Sequence, residues 1–295
     1  MASASNFTDF IQSRDAAGLQ IFMSNERHLP VDHIQRNNEA LLEACRDGDD
    51  EICEVLISFG ADVNSSVYKQ TPLFISCRNA HSACVDLLLS HGVNVNAVSL
   101  YDGTTPLIAT ASNSGTPVGL TLDQFIDNRC RCTRSLLATG VAIDQTDIIG
   151  STALMRATWN FRLTEILIEA GANVNILDCT GDSALHNASR RNDADVVMFL
   201  LERGANIDAR NVGGCTPLHL ACDDISPAVV DSLIRYNADI DIVDNGDHTA
   251  FQMAMSRPST YPNRVAVLLL IATCAQTRVE ASSADWIRLA RNVPK

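Results

Sequence analysis

A short turn signature returns along this chain with a nearly constant period, and such a period is the mark of a solenoid built from stacked repeats. Gly60-Ala61-Asp62, Gly92-Val93-Asn94, Gly140-Val141-Ala142, Gly171-Ala172-Asn173, Gly204-Ala205-Asn206 and Asn237-Ala238-Asp239 follow one another at intervals of 32, 48, 31, 33 and 33 residues. A second signal recurs in phase: Thr71-Pro72-Leu73, Thr105-Pro106-Leu107, Thr152-Ala153-Leu154, Ser183-Ala184-Leu185, Thr216-Pro217-Leu218 and Thr249-Ala250-Phe251. Thr or Ser supplies an oxygen that caps the first free N–H groups of a helix, and proline is tolerated at the first helical position because its missing donor would have been orphaned there. Each triplet therefore starts a helix. An apolar run follows, such as Val196-Val197-Met198-Phe199-Leu200-Leu201, and closes on a glycine suited to the left-handed helix stop. The predicted unit is helix, turn, helix, hairpin.

These residues carry a resemblance to the ankyrin-repeat family. Gly214-Cys215-Thr216-Pro217-Leu218-His219-Leu220-Ala221 is similar to that family's signature, and Leu200-Leu201-Glu202-Arg203-Gly204-Ala205-Asn206-Ile207-Asp208 to its second half. The resemblance implies an all-α ankyrin-repeat solenoid of stacked helix-turn-helix units with β-hairpin fingers, about seven repeats over residues 38–274. The unit from Asn38 to Asn64 keeps the second half but has Asn-Glu-Ala-Leu in place of the capping tetrapeptide. Residues 1–37, with Phe10, Ile11 and Leu19 to Met23, read as a degenerate N-terminal capping repeat, and 275–295 as a C-terminal cap in which Trp286 covers the last repeat. Thr105 to Gly140 spans 35 positions where Thr71 to Gly92 spans 21, so the third unit holds 14 extra residues, expected as an inserted loop near 112–127.

Composition narrows the function. The chain is 46% hydrophobic and 19% charged, enough apolar surface to order it, and its net charge of −13 opposes approach to a nucleic-acid backbone. The start Met1-Ala2-Ser3-Ala4-Ser5-Asn6 has neither the basic nor the apolar run of a signal peptide, and the ten cysteines follow no secreted framework. A cytosolic or nuclear compartment and reduced thiols are expected. The longest apolar stretch, Val265 to Ala275, falls short of the roughly 20 residues of a membrane span and reads as a buried helix. Cys130-Arg131-Cys132 has one intervening residue and no second pair, unlike a structural zinc site. Cys215 and His219 stand at i and i+4, a spacing that brings a thiol and an imidazole to one helix face, but His186 and His219 are the family's signature histidines, which the resemblance makes inter-repeat hydrogen-bonding groups. No phosphate loop or nucleophile elbow is present, so no catalytic residue, metal or cofactor is expected.

What remains is the surface. In the family, partners are held by the fingertips just before the Thr-Pro-Leu and by the ends of the first helices. Carried onto this sequence, those places include Val67, Tyr68, Gln70, Asp102 and Val212 at the tips and Arg78, Asn79, Asn160, Asp223 and Asp224 at the helix ends. The expected partner-binding set is Tyr68, Tyr101, Ile148, Ile149, Trp159, Arg190 and Arg191, because aromatic and arginine side chains are the usual anchors of interfaces. Carboxylates crowd both ends of the repeats, with Arg129, Arg131, Arg134, Arg190 and Arg191 between them, a pattern suited to a partner with basic flanks and a neutral or acidic middle. The leading expectation is a monomeric adaptor that binds a protein or peptide. A second is the substrate-receptor subunit of a ubiquitin ligase, although the tail from Ala281 to Arg291 lacks the Leu and Cys pattern of a recruiting box. A third is an enzyme using the inserted loop as a lid over Cys130 or a nearby histidine. The family also implies asparagine hydroxylation at Asn64, Asn96 and Asn175, each at a hairpin end eight residues after a leucine.

Overall fold

The hydroxyls expected to cap helices do so at every one of the six positions. In the computed structural model, which describes residues 7–25, 32–113, 115, 120–257 and 263–276, Thr71, Thr105, Thr152, Ser183, Thr216 and Thr249 each accept from the backbone N–H three residues ahead, at 3.1 to 3.4 Å. Each begins the first helix of a pair. The second helix ends two or three residues before a left-handed position, held by Gly60, Gly92, Gly140, Gly171 and Gly204 with φ between 71° and 93°. Asn237 takes the same place at φ 65°, since asparagine is among the few side chains that tolerate it.

The described residues form two compact units. One holds the residues up to Ala157 together with Arg162–Ala172, and the other Thr158–Phe161 and the residues from Asn173 on. In the first, α1 (Phe7–Gln12) pairs with α2 (Ala16–Asn25), and α2 packs on α4 (Asp50–Ser58). First helices α3 (Asp32–Asp47), α5 (Pro72–Arg78), α7 (Pro106–Ala111) and α9 (Ala153–Ala157) lie side by side. Second helices α4, α6 (Ser82–Ser90) and α8 (Leu122–Leu137) form the layer behind them, and α10 (Phe161–Glu169) is the second helix of the fourth pair. Leu41, Leu56, Leu73, Leu88, Leu107 and Leu136 are fully buried between the layers. In the second unit α11 (Ala184–Arg190), α13 (Pro217–Asp223) and α15 (Ala250–Ser256) pack in succession, backed by α12 (Ala194–Glu202) and α14 (Pro227–Arg235). A last helix, α16, covers residues 264–276.

Three expectations change. The inserted segment is not a loop throughout 112–127, because Thr121 and Gln124 form a capping box and α8 runs from Leu122 for 16 residues against 9 in α6. The extra turns bury Phe125 and Arg129. Helix α3 begins at Asp32, so the expected boundary at 37/38 falls inside a helix. The stretch from Val265 is only half buried: Val267 and Ile271 face the core while Val265 and Leu269 are exposed. The C-terminal tail with Trp286 lies outside the described residues, and among those described no helix is long and apolar enough to cross a membrane.

Arg129 is the largest side chain with no exposure at all. Its guanidinium donates to the carbonyls of Ala109 and Thr110 at the end of α7 and of Arg78 at the end of α5, and lies 4.4 Å over the Phe125 ring. Helix ends leave carbonyls without partners and carry a partial negative charge, so a cation there answers both. Burial still opposes its charge, pushing its pKa down to about 10, which keeps it protonated at neutral pH.

His186 and His219 repeat one arrangement. Nδ1 faces the capping hydroxyl of Ser183 or Thr216 at 2.9 Å, and Nε2 lies 3.1 Å from the carbonyl of Cys215 or His248 in the next repeat. Burial is the main cause that lowers the pKa of both from the ordinary 6.5, and of His81 as well. The unfolded chain therefore takes up protons below about 6.5 that the folded imidazoles refuse, so this stability is complete above that pH and drains as pH falls toward the folded pKa. Thermal melts followed by circular dichroism between about pH 7.5 and about pH 5.5 will show Tm falling with acidification. The double variant His186→Gln/His219→Gln will melt lower at neutral pH but with a shallower acid slope, and an unchanged slope would remove the histidines as its cause.

Candidate functional site

Five exposed large apolar residues of the first unit lie on three consecutive fingertips, while Ile21 and Leu122 stand on helices. At the first, Val67 and Gln70 pair as an isolated antiparallel bridge around Tyr68 and Lys69, both left-handed with φ 49° and 63°. That is the conformation of a two-residue hairpin whose twist matches its strands, and it leaves Tyr68 66% exposed. At the second, Ser99 N–H donates to Thr104 O at 2.9 Å and Asp102 Oδ1 accepts from Thr104 N–H at 3.1 Å, so Leu100 and Tyr101 stand at the apex. At the third, the buried Asp147 accepts from the backbone of Ile149 and Ser151 and pairs with Arg156 at 2.8 Å, which turns Ile148 and Ile149 outward.

Backbone bonds join these tips into one row. Leu100 N–H donates to Lys69 O and Ile148 N–H to Asp102 O, each at 3.0 Å. The Lys69 ammonium lies 5.3 Å from the centre of the Tyr101 ring. The approach is close: a Cβ added at Gly103, which has φ 67°, would meet the Ile148 methyl at 3.1 Å and its backbone N at 3.3 Å. Tyr68, Tyr101, Ile148 and Ile149 are thus brought together as the sequence predicted. Leu100, 64% exposed beside Tyr101, belongs with them and was missed, since its side chain resembles any core leucine until the turn is known.

The other predicted residues lie in the second unit. Arg190 and Arg191 are exposed at the end of α11, but they differ. Arg190 donates to Asp182 at 3.1 Å, and Asp182 is buried and also accepts from Asn211, so the Arg190 guanidinium is committed to the fold. Arg191 has no ion-pair partner among the described residues. Trp159 is half-buried. The tips of this unit are bonded in the same way, Val212 N–H to Thr180 O and Asn245 N–H to Gly213 O, with Val212 exposed. Arg129, counted among the surface arginines from sequence, is buried and leaves that set.

Asn64, Asn96 and Asn175 are exposed, and each places its amide oxygen on the backbone N–H of the next repeat: Asn94 at 2.7 Å, Ala142 at 3.1 Å and Asn206 at 2.8 Å. They act as clamps between repeats.

The groups considered for chemistry are placed against it. Cys130 is buried, and desolvation pushes its thiol upward, opposite to the shift a nucleophilic thiolate needs. Both His219 nitrogens are engaged by Thr216 and the His248 carbonyl, which leaves none for Cys215. Among the described residues no three His, Cys, Asp or Glu side chains converge to hold a metal.

The model for ankyrin repeats, written as three copies, matches residues 13–99, 41–122, 124–211 and 160–244. The chain belongs to the ankyrin-repeat family. Similar solved structures are the human ASB11 ankyrin-repeat domain, at TM-score 0.63 and 24% identity over 78% of this chain and 96% of that one, and the ankyrin-repeat domain of Bcl-3, at 0.62 and 22% over 79% and 97%. They share the fold. Curated relatives are a fowlpox virus putative ankyrin repeat protein, 31% identical over 138 residues (46% of this chain and 18% of that one), and Oryctolagus cuniculus ankyrin repeat and SOCS box protein 5, 34% identical over 84 residues (28% and 25%). The chain spans a quarter or less of the length of these relatives. Ankyrin repeats are generally protein–protein interaction modules.

Cys179 is the exposed thiol among the described residues, while Cys45, Cys53, Cys77, Cys84, Cys130, Cys132 and Cys222 are buried. A colorimetric thiol reagent on native protein at neutral pH will therefore label Cys179 first. The buried seven will react only as denaturant unfolds the chain, and fast native labelling of Cys130 would restore a lidded catalytic thiol.

Proposed function

We propose that this ankyrin-repeat chain is an adaptor that holds a protein or peptide segment along the fingertip row of Tyr68, Leu100, Tyr101, Ile148 and Ile149. The observation carrying this reading is that five large apolar side chains are exposed on three tips that hydrogen bonds lock together. Tips fixed by backbone bonds lose little freedom on binding, which lowers the ordering cost that a partner must offset. Tyrosine adds a flat apolar face with a polar end at low entropic cost, which suits it to be an anchor. In the second unit, Trp159 and Arg191 are proposed as further contacts, and Arg190 as a weaker one because Asp182 holds it. The resemblance-based hydroxylation of Asn64, Asn96 and Asn175 is kept as a proposal that the intact mass of protein from a eukaryotic host would read.

A second reading, the substrate receptor of a ubiquitin ligase, is favoured by the match to a protein named for ankyrin repeats and a SOCS box. Ligase adaptor subunits recovered with tagged protein from cells would support it, and their absence from a recovery that contains other partners would dismiss it.

Tyr68→Ala/Tyr101→Ala tests the first reading. Truncating interface anchors costs about 2 kcal/mol or more each, so the double variant will lose the partners captured by wild type while its circular dichroism and Tm stay unchanged. Capture at wild-type levels would discard the row.

A further inference from the structure

The lengthened α8 carries a feature that the fingertip reading leaves unused. Gln124, Asp127, Arg131 and Arg134 share one outward face of that helix, at i, i+3, i+7 and i+10, and Arg162 of α10 rises opposite them. Together with Leu120 and Asn128 they line an open concavity of about 510 Å³. Asp127 and Arg131 have the i, i+4 spacing of a helical ion pair, yet Arg162 takes the Asp127 carboxylate at 2.6 Å. Arg131 and Arg134 are exposed and left with no ion-pair partner among the described residues.

Three guanidinium groups, of Arg131, Arg134 and Arg162, line this concavity with one carboxylate, of Asp127, on a chain whose net charge is −13. The surrounding negative charge weakens within about a Debye length of roughly 8–10 Å, so the face presents its own sign to whatever reaches it. Side chains at i and i+3 on a helix stand about 5–6 Å apart at their Cβ atoms. Alternate residues of an extended chain, at a rise of about 3.3 Å each, stand about 6.6 Å apart and point the same way. An extended segment with carboxylates at alternate positions therefore meets Arg131 and Arg134 one to one, each as a fork accepting two parallel N–H bonds. A concavity of several hundred cubic ångströms, open along its length, admits such a segment with its backbone.

We propose that the concavity between α8 and Arg162 docks an acidic, Asp- or Glu-rich extended segment of a protein partner, through Arg131 and Arg134. Asp127 positions Arg162 and opposes the incoming carboxylates, so it sets the strength of the site. The surface is separate in residues from the fingertip row and does not depend on it.

The test is fluorescence anisotropy of fluorescein-labelled hexaglutamate titrated with the full chain at about 0.1 M salt, where the Debye length is about 10 Å, beside a phosphoserine peptide of equal length. Wild type is expected to bind hexaglutamate saturably and more weakly as salt rises. Arg131→Gln/Arg134→Gln should lose about tenfold or more in affinity, the loss of a charge-paired contact at each position. Asp127→Asn should bind more tightly, and Tyr68→Ala/Tyr101→Ala should bind as wild type does. Asp127, Arg131 and Arg134 are exposed helix positions and Tyr68 and Tyr101 exposed tips, and unchanged circular dichroism and Tm will show that each variant is folded. Equal binding by wild type and the Arg131/Arg134 variant would overturn the proposal. Failure of wild type to bind hexaglutamate would do the same, and binding of the phosphoserine peptide alone would reassign the face to phosphate.

Discussion

The hydrogen bond that a hairpin Asn or Asp side chain accepts from the backbone of the following repeat is the constraint on which the fingertip row depends. Asn64 reaches Asn94 and Asn96 reaches Ala142 in the first unit, while Asn175 reaches Asn206 and Asp208 reaches Asp239 in the second. Each such side-chain oxygen accepts from an N–H of the next turn, and because these bonds are exposed each contributes about 1 kcal/mol or less. The bond also sets the step between one hairpin and the next. With that step fixed, each tip lies close enough to its neighbour for Leu100 to bond Lys69 and Ile148 to bond Asp102. The tip side chains are then turned to solvent, because the backbone beneath them is already committed. The exposure of Tyr68, Tyr101 and Ile148 is a consequence of the repeat geometry, and it is stable for the same reason the repeats are.

The interior shows how a narrow helical layer treats polar groups. Short first helices of six or seven residues end on carbonyls that no further turn will satisfy. Arg129 answers three of them, and Thr133 joins Thr110 at 3.0 Å in the same region. His186 and His219 serve the second unit by linking a capping hydroxyl to a carbonyl one repeat further on. These groups are the ones a search for chemistry would flag, since they are titratable, buried and close to thiols. Their bonds are all directed at backbone or capping atoms, and burial moves the thiols away from ionisation. A perturbed pKa here reports structural burial and gives no poised nucleophile.

The inserted segment shows a second use of the same rules. An insertion near a helix start has two outcomes, a longer loop or a longer helix, and the capping box of Thr121 and Gln124 selects the helix. That choice gives the core Phe125 and Arg129 and gives the surface Gln124 and Asp127, which extend the face of Arg131 and Arg134. The two faces of those added turns are coupled, since the burial of one side determines the direction of the other.

The repeat period, the six capping hydroxyls, the glycine stops and the tip positions of Tyr68, Tyr101, Ile148 and Ile149 were legible in the sequence, because each depends on a few neighbouring residues and recurs in register. The Thr121-Leu122-Asp123-Gln124 signal is equally local, but it falls inside the stretch 112–127 that the 14 extra residues marked as a loop. Other features were not legible at all. That Arg129 turns inward while Arg131 and Arg134 turn outward, that Asp182 holds Arg190 and leaves Arg191, and that Arg162 takes Asp127 from Arg131 are outcomes of competition between partners distant in the chain. Local propensity and spacing determine where helices and turns occur. Only packing decides which of several like charges is buried, which is paired and which is left for another molecule, because those fates depend on distances that no sequence window contains.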